Sequence, residues 1–187
     1  MALAAPKVQL FNFLFCSIFL SSCSQAERLY DNYPVRFVVQ NTNTNEVLNA
    51  ALNGMGEFCT MVVSNNGSSM EYTNLKTTRS VSLTAREVSY GHFNFGRSNG
   101  FVVGHTSMIS SRFPDQVICY DIVCPNCYDN LSITRNIRLL AGARAECSNC
   151  MRIYDLNELG TVSQGEPGSS LYRYLVRYTP FQLVIGN

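Results

Sequence analysis

The chain is predicted to be all-β, and three observations lead there. Short β-branched and aromatic runs alternate with clusters of Asn, Gly, Ser and Pro, the punctuation that sheets require. A single short segment has apolar residues at helical spacing. Trp is absent, but 11 Phe and 10 Tyr supply the large side chains that pack well on pleated surfaces. With 187 residues, 46% of them hydrophobic, the chain suits one domain with appendages and a sizeable core.

Residues 1–22 are an address rather than part of the fold. Lys7 precedes the apolar run from Val8 to Leu20. That run is shorter than the roughly 20 residues a membrane span needs, but has the length of a secretory signal core. Leu20-Ser21-Ser22-Cys23 resembles a bacterial lipobox. The resemblance implies cleavage before Cys23, diacylglycerol and acyl chains on Cys23, and lipid anchoring to a membrane of the bacterial cell envelope. In a Gram-negative cell the outer membrane is the favoured one. Two acyl signals hold a protein on a membrane stably, whereas one chain is marginal. No twin-Arg pair precedes the run, so the expected export is of an unfolded chain. Residues 23–32 then form a polar tether, and 33–187 form the folded body. Without Lys7 the mature part has 13 basic and 13 acidic residues, and such a balance argues against nucleic acid as a partner.

Seven strands are expected in the body: Val35–Gln40, Phe58–Val63, Phe101–Val103, Val117–Val123, Arg152–Leu156, Leu171–Tyr178 and Phe181–Ile185. Asn65-Asn66-Gly67-Ser68 is a tight turn, since these residues tolerate positive φ. Ser98-Asn99-Gly100 should close a hairpin between Phe93-Asn94-Phe95 and Phe101-Val102-Val103. The one helix runs from Thr44 to Leu52, with Val47, Leu48, Ala51 and Leu52 on one face.

The chemistry lies in the cysteines. Cys124-Pro125-Asn126-Cys127 and Cys147-Ser148-Asn149-Cys150 are paired C-x2-C knuckles with 19 residues between them. Each two-residue spacer lets both sulfurs of a turn face one ion, and two knuckles supply four tetrahedral ligands. In an oxidising compartment the same pairs can instead close as local disulfides, or remain thiols. Cys59 and Cys119 lie in apolar runs as small packing groups, with a disulfide between them as the alternative. Cys16 falls in the removed segment. No phosphate loop, nucleophile elbow, His-Glu metal motif or spaced carboxylate pair appears, so no catalytic residue is assigned.

Residues 116–178 carry a resemblance. Gln116-Val117-Ile118-Cys119-Tyr120-Asp121-Ile122-Val123-Cys124-Pro125 resembles the strand entering the first ligand loop of a Rieske-type iron–sulfur domain. Cys147-Ser148-Asn149-Cys150, then Ile153-Tyr154-Asp155, Gly160, Gly165-Glu166-Pro167 and Leu171-Tyr172-Arg173-Tyr174 follow the family's order of loop, tyrosine strand, glycine turn, proline element and final strand. The resemblance implies Rieske-like stacked antiparallel sheets with a small metal-loop subdomain of rubredoxin or zinc-ribbon kind. It also implies an iron–sulfur cofactor, but Asn126 and Cys150 stand where the family has its two histidines. The only histidines, His92 and His105, lie outside both loops. An all-cysteine site of Cys124, Cys127, Cys147 and Cys150 is left, which favours zinc, a single iron or a [2Fe–2S] centre held by four thiolates. Zinc is the first expectation, because it binds after translocation without assembly machinery. The expected role is binding or assembly beside an envelope protein partner. The alternative is an electron-transfer [2Fe–2S] protein that docks a redox partner.

Overall fold

The computed structural model describes residues 29–64, 67–85, 95–107 and 116–186. The signal segment, Cys23, the start of the tether, His92, Phe93 and Asn94, and Asn65 and Asn66 of the first turn lie outside these residues. The described strands are β1 (Arg36–Gln40), β2 (Phe58–Val63), β3 (Ser69–Thr73), β4 (Thr78–Ser82), β5 (Gly100–His105), β6 (Val117–Asp121), β7 (Arg138–Leu140), β8 (Arg144–Glu146), β9 (Ile153–Asp155), β10 (Thr161–Gln164), β11 (Arg173–Thr179) and β12 (Gln182–Gly186). Two short helices, α1 (Glu46–Asn53) and α2 (Pro125–Leu131), and a 3-10 turn at Thr42–Thr44 complete the set. The all-β class predicted from the sequence is the class observed.

The strands form two antiparallel sheets. The larger has the order β1-β12-β11-β6-β5-β2-β3-β4, and the smaller has the order β10-β9-β8-β7. β11 changes partner along its length. Arg173 and Tyr174 pair with β6, and Leu175 to Thr179 pair with β12. The large sheet curls, so that Phe37 and Val39 of β1 share one core with Met61 of β2, Met70 and Tyr72 of β3, and Leu183 and Ile185 of β12. The apolar face of α1, Val47, Leu48, Ala51 and Leu52, fills this core as its spacing predicts. The helix starts where Asn45 Oδ1 accepts the backbone N–H groups of Val47 and Leu48, at 3.1 and 3.2 Å.

β5 and β6 are apolar without alternation because both of their faces are covered. Phe101, Val103 and Cys119 point into the first core. Val102, Ile118 and Tyr120 point into a second core with Ile137, Ala145, Tyr154, Leu156 and the cysteines of the small unit. The small unit, α2 with β7 to β10, is inserted between β6 and β11, which are themselves neighbours in the large sheet. Tyr120 Oη donates to the Leu156 carbonyl at 2.9 Å and joins the two sheets.

Several elements differ from expectation. β5 pairs with β2 on one side and β6 on the other, and the partner expected for it across Ser98-Asn99-Gly100 includes Phe93 and Asn94, which lie outside the described residues. β3, β4 and β10 were not anticipated, nor was α2, whereas β7 and β8 form the two short strands that the span between the knuckles has room for. Cys59 and Cys119 both stand opposite Val103, one on each side of β5. Two strand spacings, about 9.5 Å, separate their backbones, beyond the roughly 7 Å that a disulfide spans. Both are buried free thiols.

Candidate metal centre

The first knuckle begins where β6 ends. Asp121 is buried there, and its carboxylate accepts Val123 N–H at 2.8 Å, Arg97 N–H at 2.6 Å and Tyr174 Oη at 2.7 Å. Burial pushes the Asp121 carboxyl up from the usual range, and these three donors and Arg97 oppose the shift. They fix the chain's exit from the sheet. Cys124 N–H then donates to the Arg135 carbonyl at 2.8 Å. Pro125 opens α2, where a missing N–H loses nothing. One turn on, Cys127 lies on the same side of the helix as Cys124.

The second knuckle is the loop between β8 and β9. Its ends are tied by Cys147 N–H to the Arg152 carbonyl at 3.0 Å and Met151 N–H to the Cys147 carbonyl at 2.9 Å. Met151 closes the turn at φ 59°, the left-handed conformation that most side chains avoid.

The four cysteines predicted from spacing come together. Their sulfur atoms all lie within 4.8 Å of one another. The Cys124–Cys150 and Cys127–Cys147 sulfurs are each 3.6 Å apart, so these close pairs run across the knuckles rather than within them. Cys124, Cys127 and Cys147 are fully buried, and Cys150 is half-buried beside a cavity of about 590 Å³ lined by Asn149, Met151, Arg152 and Glu166. Such a donor set fits a soft or borderline cation.

Hydrogen bonds reach the sulfurs from outside. Tyr154 Oη lies 3.1 Å from Cys124 Sγ, and Asn149 Nδ2 donates to Cys127 Sγ at 3.4 Å. Burial raises the Cys124 thiol above its ordinary value, against the Tyr154 hydrogen bond, and raises that of Cys127. Burial also opposes ionisation of Cys150, but Arg152, through its backbone N–H and guanidinium, and the Cys124 and Cys147 thiols bring it down to about 7. Cys150 thus ionises more readily than Cys124 or Cys127 without a cation.

His105 stays out of the site. It faces Val117 at the far end of β5, whereas Asp121 at the near end faces Phe101. His92 lies outside the described residues. Sequence reasoning missed Asp121, Asn126 and Asn149, whose contacts join distant segments and leave no spacing pattern. No model of a known protein family matches the chain, and no curated protein matches it.

Proposed function

We propose that this is an envelope lipoprotein anchored through Cys23, whose Rieske-like domain holds one structural zinc ion on Cys124, Cys127, Cys147 and Cys150. Its role is binding or assembly at the membrane rather than catalysis. The compactness of the sulfur set supports one ion rather than a two-metal cluster, and zinc is the choice among single ions because it binds after translocation without assembly machinery. Zn–S bonds of about 2.3 Å arranged tetrahedrally put sulfurs about 3.8 Å apart. A [2Fe–2S] centre divides its thiolates between two irons and would need the pairs farther apart than they stand. The order of cysteine loops, Tyr154 strand and proline element around one small sheet supports the Rieske-like reading of the unit.

Elemental analysis and absorbance of the purified full chain test this directly. One zinc per chain and no visible bands are expected. Two irons with labile sulfide would replace the structural role by electron transfer to a redox partner, and an absence of bound metal would overturn the reading. For the anchor, Cys23→Ser should abolish acylation. Acylated Cys23→Ser protein would show the assignment to be wrong.

A further inference from the structure

Asn126 sits between the cysteines of the first knuckle but offers no ligand atom of the kind its neighbours offer. It is only 4% exposed and makes three hydrogen bonds. Its Oδ1 accepts Ser169 N–H at 2.9 Å, and its Nδ2 donates to the Ser169 carbonyl at 2.9 Å. This pairing with one residue's backbone fixes which way the amide faces, because an N–H must meet oxygen and a C=O must meet nitrogen. The second hydrogen of Nδ2 then points at Tyr154 Oη, 2.9 Å away.

An amide nitrogen only donates, so the tyrosine oxygen accepts there. A hydroxyl has one proton, and the other partner of Tyr154 Oη is Cys124 Sγ at 3.1 Å. The proton therefore lies toward sulfur, and Cys124 is held as an acceptor. Gly168 makes room for the arrangement, since a side chain there would run into Asn126 Oδ1.

We propose that Asn126 is a positioning residue of the metal centre: it aims the Tyr154 hydroxyl at the Cys124 sulfur and holds the 165–170 loop against α2. This rests on the metal reading above. A donor aimed at a coordinated thiolate draws off part of its charge, and outer partners of this kind typically govern metal affinity by about 10–100-fold.

Cobalt(II) is the probe, because its sulfur-to-metal absorption band follows charge donation from sulfur. Tyr154→Phe removes the donor and should move the band of the full chain to longer wavelength, weakening Zn²⁺ binding about 10–100-fold. Asn126→Asp keeps the acceptor toward Ser169 but takes the tyrosine proton for its own carboxylate, and should reproduce the Tyr154→Phe band. Adding Asn126→Asp to Tyr154→Phe should move the band no further. Should Asn126→Asp fail to fold, Asn126→Ala is read in the same way. A cobalt band that Tyr154→Phe shifts and the Asn126 variants leave in place overturns the role of Asn126 alone. No cobalt–thiolate band in the unaltered chain overturns the metal reading, and the proposal with it.

Discussion

The four cysteines are alike in sequence and unlike in place. Cys124, Cys127 and Cys147 are sealed from solvent, while Cys150 borders a cavity. A water can take the fourth position of a zinc site where solvent reaches it, as it does in open sites. Cys150→Ser is therefore expected to keep a folded protein with one weakly held metal ion. Cys124→Ser leaves an incomplete site where water has no access, and is expected to lose both metal and fold. Metal content after dialysis, read beside the thermal midpoint, checks the pair. Equal losses in the two variants would mean that exposure does not rank the ligands. The ligands were legible because two knuckles at fixed spacing are a local pattern. Asn126 was not legible, since its partners Tyr154 and Ser169 lie 28 and 43 residues away.

Elements were legible where burial leaves an apolar stripe or an unbroken apolar run in the sequence. α1 has its stripe of Val47, Leu48, Ala51 and Leu52, and it appears where expected. Leu48 is fully buried, so Leu48→Ala should cost about 2–5 kcal/mol. Asn45→Ala, which removes only the cap, should cost about 1 kcal/mol. Urea denaturation of both variants checks the ordering, and a cap loss larger than the core loss would contradict it. β2 and β6 read clearly as apolar runs. β4, Thr78-Arg79-Ser80-Val81-Ser82, is exposed along its whole length at a sheet edge, and nothing in its composition separates it from a loop. α2 was missed for another reason. Its buried residues, Pro125, Asn126 and Cys127, face the site instead of forming an apolar stripe.

At the scale of the whole molecule, the buried thiols of the large core make stability depend on pH in one direction. Burial raises both Cys59 and Cys119, so folding favours their protonated forms. That contribution is complete below the ordinary thiol value near 8.5 and is lost as pH climbs above it. The thermal midpoint should fall from about pH 9 upward, and less steeply in a Cys59→Ala, Cys119→Ala double variant. Identical alkaline slopes in the two proteins would refute the assignment. The topology bears on speed as well. The first strand of the large sheet pairs with the last, and β11, which leads into β12, is parted from its neighbour β6 by the whole cysteine unit. The sheet therefore cannot close until β12 is in place, and folds rich in such distant pairings are slow. An ion that draws the two knuckles together shortens the detour first, and each halving of a loop lowers its closure cost by about 0.6 kcal/mol. A metal ion on the four cysteines would then act on this chain as a folding accelerator, setting how long β1 waits with an open edge.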